Sequence, residues 1–212
     1  NNLLAYELSP GVTLLEESLC KWFAKKIGFN DLSGGIAASG GTLSNLNALI
    51  AARNHAGLGS DPNCVLIVSE DAHSSFIKCT RIMGLDDTNL VRIKTDTNGC
   101  MDIQNLRKTL EDCLIENKKI FAIVATLGTT VRGAIDPIKD ISDICKEKNI
   151  WLHIDGSIGG IFAVTSIPIE GLNYINQSNS ITINPQKIIG ITKTSSLLLV
   201  SNMSTLENTF ST

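Results

Sequence analysis

A lysine and an aspartate each follow a short apolar run in this chain, where a reactive group could be held in place. Asp155 ends the run 150–154, and Lys187 follows the run 181–183 across an Asn-Pro turn. A lysine amine in an apolar context can form a Schiff base with an aldehyde. A carboxylate can hold a pyridine nitrogen protonated, so that the ring accepts electrons. The pair therefore predicts binding of pyridoxal 5'-phosphate (PLP).

Both residues have a second interpretation. A buried carboxylate needs a partner, and a metal ion or an arginine could serve Asp155 as well as a pyridinium does. No second acidic residue follows Asp155 to suggest a metal site, whereas the small residues after it leave room for a flat ligand. The isoleucines on both sides of Lys187 predict a partly buried amine. The competing Lys193 has polar neighbours.

A glycine pair and a threonine, Gly40, Gly41 and Thr42, stand at the start of a predicted helix over 43–56. Glycines allow the backbone to approach an anion closely, and the free N–H groups of a helix N-terminus bind phosphate oxygens. The hydroxyl of Thr42 adds a donor. The alternative is an ordinary turn that caps the helix.

Three histidines receive different interpretations. His73 follows the apolar run 64–69, and its ring could lie against a flat cofactor or carry protons. The alternative is a helix-start histidine that bonds a neighbouring serine. His55 ends a helix and is interpreted as structural. His153 is also interpreted as structural, because its side chain is predicted to lie on the face of the sheet opposite to that of Asp155.

Three threonines follow the apolar run 120–125. The hydroxyls of Thr126, Thr129 and Thr130 could donate to a phosphate or reach a ring substituent, or they could bond their own backbone in a turn. Asp136 is predicted to cap the helix that follows it.

Apolar runs of strand length alternate with amphipathic stretches along the chain. The strands are predicted at 64–69, 89–93, 120–125, 150–154, 180–183 and 196–200. The helices are predicted at 13–27, 43–56, 74–83, 102–116 and 137–148, and the first of them opens with a capping box of Thr13 and Glu16. Strands that are buried on both faces and separated by helices predict a mostly parallel α/β sheet. Ligands bind beyond the carboxyl ends of such strands, where the residues discussed above fall.

The composition narrows the function classes. The chain has 212 residues, 43% of them hydrophobic, and a net charge of -3. No basic patch indicates binding to nucleic acid or to an anionic membrane. Six cysteines show neither a C-x-x-C pair nor zinc-ligand spacing, which favours free thiols in a reducing compartment. We therefore expect a cytoplasmic location and no metal site.

Five segments in this order resemble the pyridoxal-dependent group II amino acid decarboxylases, a family that includes glutamate, aromatic-amino-acid, cysteine-sulfinate and 2,4-diaminobutyrate decarboxylases. The segments are SGGTLSN (39–45), SEDAHSS (69–75), ATLGTTVRGAID (125–136), WLHIDGSIGG (151–160) and NPQK (184–187). Residues 8–29 also resemble the helix that precedes the cofactor domain of that family. The resemblance covers nearly the whole chain.

The resemblance implies a role for each matching residue. Lys187 would form the internal aldimine, Asp155 would pair with the pyridine nitrogen, and His73 would stack on the ring. Gly41 and Thr42 would bind the phosphate. The implied cofactor-binding set is Gly41, Thr42, His73, Thr129, Asp155, Ser157, Asn184, Gln186 and Lys187.

The resemblance also implies a fold and an assembly. Residues 1–212 would form a PLP-binding large domain of the aspartate-aminotransferase type (PLP fold type I), a mostly parallel mixed sheet of seven strands flanked by helices. We expect the N-terminal arm, the mobile catalytic loop and the small C-terminal domain of the family to lie outside these residues. The family forms homodimers with the active site at the subunit interface. Gln186 stands where the family usually has histidine, and glutamine cannot carry a proton at neutral pH.

The expected function is PLP-dependent decarboxylation of an L-amino acid to an amine, a lyase reaction of amino acid and carboxylic acid metabolism. Two alternatives stay open on the sequence. One is a PLP-dependent carbon–carbon lyase that acts on a phosphorylated amino alcohol. The other is a catalytically incomplete PLP-binding fragment that serves as a dimer partner.

Overall fold

A computed structural model describes residues 9–193 and 195–211, and its core is a single sheet of seven strands. Six of the strands contain the apolar runs predicted from the sequence. The strands are β1 (Gly34–Ala38), β2 (Cys64–Ser69), β3 (Leu90–Ile93), β4 (Lys119–Thr126), β5 (Trp151–Gly156), β6 (Ser180–Ile183) and β7 (Ser196–Val200).

The strand order across the sheet is β1-β7-β6-β5-β4-β2-β3. Strand β7 runs antiparallel to both of its neighbours, and the other pairings are parallel. This arrangement confirms the predicted mostly parallel mixed sheet. The carboxyl ends of β4, β5 and β6 lie side by side, and Asp155 is in register with Thr126 on one side and Thr182 on the other.

The described residues form seven α-helices, and six of them flank the sheet in two layers. The seven helices are α1 (Pro10–Lys26), α2 (Gly41–His55), α3 (Ser75–Ile82), α4 (Ile103–Ile115), α5 (Ile138–Lys148), the short α6 (Pro185–Ile188) and α7 (Ser204–Phe210). Helices α1, α4 and α5 pack on one face of the sheet, and α2, α3 and α7 pack on the other. None of the helices in the described ranges has the length and apolar character needed to cross a membrane.

Strand β1 is the one strand that the apolar pattern did not predict. Its glycines depress strand propensity, but the close approach of β7 requires them. A Cβ added to Gly35 would lie 2.3 Å from the carbonyl oxygen of Leu198. The pairing of β1 with β7 therefore depends on a bare backbone at Gly35.

The predicted capping box at Thr13 and Glu16 is wrong. Helix α1 begins at Pro10, one turn earlier, and the Thr13 hydroxyl donates to the Ser9 carbonyl at 3.2 Å. The Glu16 carboxylate instead accepts from the backbone N–H of Ala37 in β1 at 2.8 Å. Proline favours the first position of a helix, and here it outweighs the box signal.

The role predicted for Asp136 is also wrong. Pro137, not Asp136, stands at the cap position of α5. The buried Asp136 carboxylate accepts from the backbone N–H groups of Met101 and Thr126, each at 2.7 Å. Burial raises the pKa of Asp136 to about 6, although both hydrogen bonds oppose the shift. The carboxylate thus ties the end of β4 to a neighbouring loop.

Candidate active site

A cavity of about 550 Å³ opens where the carboxyl ends of β4, β5 and β6 meet the N-terminus of α2. Its size suits a small-molecule site. Eight of the nine residues predicted to bind the cofactor line it, namely Gly41, Thr42, His73, Asp155, Ser157, Asn184, Gln186 and Lys187. Asp155 and Lys187 therefore face one shared space, as the sequence predicted.

Asp155 ends β5 and is almost fully buried, with 4% of its surface exposed. Its Oδ2 atom accepts from Asn45 Nδ2 at 3.3 Å, and its Oδ1 atom accepts from the backbone N–H of Ser157 at 3.1 Å. Within the described ranges, no lysine or arginine forms a salt bridge with this carboxylate. Asp155 therefore has two neutral hydrogen-bond donors, and its charge is left for a ligand.

The assignment of His153 to the opposite face of the sheet is wrong. Side chains two residues apart on a strand share a face, so His153 and Asp155 both face α2. Asn45 of α2 connects them, because its Oδ1 atom lies 3.1 Å from His153 Nε2 while its Nδ2 atom donates to Asp155. His153 is fully buried, and burial lowers its pKa to about 4 against the opposing effects of Asp155 and Ser180.

The lowered pKa of His153 predicts a pH-dependent stability. A neutral imidazole contributes stability that is complete above the ordinary pKa of 6.5 and is lost as the pH falls towards about 4. The loss is worth up to about 3 kcal/mol. Urea denaturation measures the free energy of unfolding of wild type and of His153→Gln, whose side chain cannot titrate. The difference between the two free energies should change by that amount between neutral and acidic pH. A difference that stays constant with pH would contradict the prediction.

The N-terminus of α2 borders the cavity and lacks a side-chain cap. Gly40 stands at the cap position, and among the described residues no side chain caps the first N–H groups of the helix. The first N–H groups of a helix have no intrahelical acceptor. Gly40, Gly41 and Thr42 line the cavity at this point. The arrangement can bind an anion, as the sequence predicted.

Gly41 leaves no room for a side chain. A Cβ added there would lie 2.6 Å from Asn184 Nδ2 and 3.0 Å from Ser157 Oγ. A Cβ on Gly40 would meet nothing within 4 Å. The absence of a side chain at Gly41 therefore keeps this side of the cavity open.

We expect Gly41→Ala to weaken PLP binding about tenfold, because Asn184 must move to make space and one donor to the cofactor is displaced. Gly59→Ala is the control and should bind PLP as wild type does, because a Cβ added to Gly59 would meet nothing within 4 Å and Gly59 lies outside the cavity lining. Fluorescence titration of the apo protein with PLP measures both dissociation constants. Equal affinities for the two variants would show that the contact at Gly41 is unimportant.

The polar side chains of Asn184, Ser196 and Ser44 form a buried chain beside Gly41. Asn184 Oδ1 accepts from Ser196 Oγ at 2.5 Å, and Ser196 Oγ lies 2.7 Å from Ser44 Oγ. These contacts fix the amide of Asn184, so that its Nδ2 atom lies on the side of Gly41 and the cavity. Asn184 can therefore donate a hydrogen bond to a bound molecule.

His73 borders the cavity with an exposed ring. Its Nδ1 atom accepts from the backbone N–H of Ser75 at 3.1 Å. The alternative of a histidine that bonds a neighbouring serine thus holds for one ring nitrogen, and the bond is to the backbone of the serine rather than to its hydroxyl. Because Nδ1 accepts, the hydrogen of the neutral ring is on Nε2, which is left to donate towards the cavity.

Thr129 does not line the cavity, although it was placed in the cofactor-binding set. Its buried hydroxyl accepts from the backbone N–H of Ala134 at 3.0 Å and shapes the turn after β4. Thr126 and Thr130 line the cavity instead. The Thr126 hydroxyl is buried without a hydrogen-bond partner among the described residues, and it sits in register with Asp155. The position of Thr126 at the end of β4 was the signal for its role.

Lys187 lies on the short helix α6 and its side chain is exposed, which corrects the predicted partial burial. The isoleucines that suggested burial are themselves exposed, Ile188 by 49% and Ile189 by 55%. Gln186 is half-buried, and its Oε1 atom accepts from the backbone N–H of Ser195 at 2.7 Å. Within the described ranges no hydrogen bond engages its amide nitrogen, and Gln186 lines the cavity.

The lining fits PLP. The open N-terminus of α2 and the amide of Asn184 offer donors to a phosphate, and the unpartnered hydroxyl of Thr126 offers one more. The carboxylate of Asp155 suits a protonated pyridine nitrogen. Lys187 supplies an amine on the same cavity. The phosphate, the ring nitrogen and the aldehyde of PLP therefore each have a matching group.

Comparison with known proteins agrees with this geometry. An acidic amino acid decarboxylase of Xenopus tropicalis is 33% identical over 195 residues, which are 89% of this chain and 38% of that protein. The glutamate decarboxylase domain of diaminobutyrate-pyruvate transaminase and L-2,4-diaminobutyrate decarboxylase from Vibrio parahaemolyticus superposes with a TM-score of 0.92 at 26% identity, over 98% of this chain and 48% of that one. Mouse CSAD superposes with a TM-score of 0.89 at 30% identity, over 95% and 44%.

The chain spans less than half the length of each of these relatives. Their superposition confirms the predicted fold type. The family model of the pyridoxal-dependent decarboxylase conserved domain matches residues 1–212. The chain therefore belongs to the pyridoxal-dependent decarboxylase family.

Proposed function

We propose that the protein is a PLP-dependent decarboxylase that converts an L-amino acid into an amine and carbon dioxide. The observation that carries the proposal is one cavity lined by Asp155, Lys187 and the uncapped N-terminus of α2, in a chain of the pyridoxal-dependent decarboxylase family. When bound, PLP supplies an electron sink for the bond to the departing carboxylate.

The residues of the cavity divide this work. Lys187 is the amine that attaches the cofactor covalently and releases it to the incoming substrate. Asp155 holds a proton on the ring nitrogen, because its carboxylate has no competing cation among the described residues. His73 lies against the ring or moves a proton through its unengaged Nε2 atom. Gly41 and Thr42 bind the phosphate through the backbone of α2.

Decarboxylation is favoured over the carbon–carbon lyase because both the family and the Xenopus relative are named for decarboxylation. An assay of the full-length protein with PLP and single amino acids tests this choice. Glutamate, aspartate, 2,4-diaminobutyrate and aromatic amino acids are the substrates to compare, with released carbon dioxide and the amine product as readouts. Aldehyde release from a phosphorylated amino alcohol, without carbon dioxide from any amino acid, would reverse the choice.

We further propose that the protein is a homodimer with its active sites at the interface. Helix α1 buries Cys20, Phe23 and Ala24 against the sheet but exposes an apolar stripe that a partner subunit could cover. The stripe consists of Val12, Leu14, Leu15, Leu19 and Trp22, each between 44% and 67% exposed.

A charge on this stripe should weaken the dimer. We expect Leu15→Glu to raise the dimer dissociation constant at least about tenfold, because an unpaired charge would be buried at the interface. Ile115→Glu is the control, since Ile115 is 83% exposed on α4 and belongs neither to the stripe nor to the cavity lining. Sedimentation velocity over a range of concentrations measures both. Dimers of equal strength would place the interface elsewhere.

A further inference from the structure

A continuous chain of hydrogen bonds leads from Asp155 through Asn45, which also lines the cavity, into the core. Trp151 Nε1 lies 2.9 Å from Ser180 Oγ, which lies 2.8 Å from His153 Nδ1. His153 Nε2 lies 3.1 Å from Asn45 Oδ1, and Asn45 Nδ2 lies 3.3 Å from Asp155 Oδ2. All five residues are buried, so water does not compete for these bonds.

The chemistry of the five groups fixes the direction of each bond. An indole N–H can only donate, so the Ser180 oxygen accepts from Trp151. The Ser180 hydrogen is then free to donate to Nδ1 of His153, which leaves the proton of a neutral imidazole on Nε2. That proton is donated to Asn45 Oδ1, and the Asn45 amide nitrogen donates to Asp155. Every hydrogen in the chain therefore points towards the carboxylate.

Asn45 is held in this orientation by all of its polar atoms. Its amide nitrogen donates to Ser75 Oγ at 3.3 Å as well as to Asp155, while its oxygen accepts from His153. A rotated amide would place its oxygen against the Asp155 carboxylate and its nitrogen against a ring N–H. Both contacts would be repulsive, so the network admits one arrangement.

The consequence for Asp155 is a fixed orientation without a neutralising charge. Asn45 holds Oδ2, and the backbone N–H of Ser157 holds Oδ1. Both donors are neutral, so the charge of the carboxylate is left for a cationic group in the cavity. A carboxylate that must meet one ring nitrogen benefits from such preorganisation.

We propose that Asn45 and His153 are positioning residues that hold the Asp155 carboxylate in the orientation that binds the protonated pyridine nitrogen of PLP. The inference rests on the proposed role of Asp155 towards the cofactor. Neither residue needs to touch the cofactor ring for this role.

The first test compares Asn45→Ala with Asn89→Ala in the full-length apo protein. Asn89 is a matched control, because its buried amide also makes three hydrogen bonds, to Pro62, Cys64 and Asp86, but lies outside the cavity lining. We expect both variants to lower the melting temperature. Only Asn45→Ala should weaken PLP binding, by about tenfold, as expected for the loss of a hydrogen bond to a charged group. It should also reduce the visible circular dichroism band of the bound cofactor.

The second test compares two substitutions of His153. The amide nitrogen of glutamine can replace Nε2 as the donor to Asn45, whereas leucine cannot. We expect His153→Gln to keep the PLP dissociation constant within about threefold of wild type and His153→Leu to raise it about tenfold. If Asn45→Ala fails to fold, this pair decides the question.

Two outcomes would overturn the inference. The first is wild-type PLP affinity and circular dichroism in Asn45→Ala with a melting temperature lowered as in Asn89→Ala. The second is equal affinity of the two His153 variants. Failure of the proposed function is a separate result, because wild type itself would then not bind PLP.

Discussion

Lys187→Ala is expected to lower amine production by at least about 10³-fold. The variant lacks the amine that attaches the cofactor and that displaces the product from it at the end of each turnover. The visible absorption band of the lysine-bound cofactor should disappear as well. PLP should still bind without a covalent bond, since the phosphate and ring contacts proposed for Gly41 and Asp155 do not involve Lys187. Initial rates of carbon dioxide release and absorption spectra of the purified full-length variant measure both effects.

Lys193→Ala is the matched control for this change. Lys193 lies on the same exposed segment after α6, but it is absent from the cavity lining. The control should keep the absorption band and activity near those of wild type. A visible band that survives in Lys187→Ala and vanishes in Lys193→Ala would show that the cofactor is attached to Lys193.

Asp155→Asn is expected to lower kcat by about 10²–10³-fold, the size found for removal of one preorganised electrostatic partner. The substitution keeps the shape of the side chain but removes the charge that holds a proton on the ring nitrogen. One of the two donors, Asn45 Nδ2 or the Ser157 N–H, would also face an amide hydrogen. Steady-state kinetics with saturating PLP separate this effect from weaker cofactor binding.

Asp136→Asn provides the matched buried carboxylate. Asp136 is 1% exposed and accepts from two backbone N–H groups, but it does not line the cavity. This variant should lose stability, by about 1–3 kcal/mol, while its kcat stays close to wild type. An Asp155→Asn variant with a kcat no lower than that of Asp136→Asn would show that the charge at Asp155 is not used.

The pattern of apolar runs was enough to predict six of the seven strands and the edge of the sheet that carries the site. Buried parallel strands are continuous apolar segments, so β2, β4 and β5 are visible in the sequence alone. Strand β1 is not visible in the sequence, because its glycines are required by the close approach of β7 and have low strand propensity. Asp155 and Lys187 were singled out because each follows such a segment.

The details that the sequence did not show depend on contacts between distant residues. Thr129 and Thr126 are three residues apart and chemically alike, and hydrogen bonds with Ala134 and Gly133 place Thr129 in the turn. The contact of Asn45 with both His153 and Asp155 joins a helix to a strand more than 100 residues away. The two-residue period of a strand is enough to place His153 on the same face of the sheet as Asp155. The exposure of Lys187 follows from the position of α6 beyond the carboxyl end of β6.

The identity of the lysine that carries the cofactor tests the central claim most directly. Holoprotein is reduced with borohydride to fix the cofactor, digested, and analysed by mass spectrometry for the phosphopyridoxyl group. We predict that the group lies on Lys187 in the peptide that contains the Asn-Pro-Gln-Lys sequence. A phosphopyridoxyl group on Lys193 or on any other lysine, or a reduced protein without the group, would contradict the assignment.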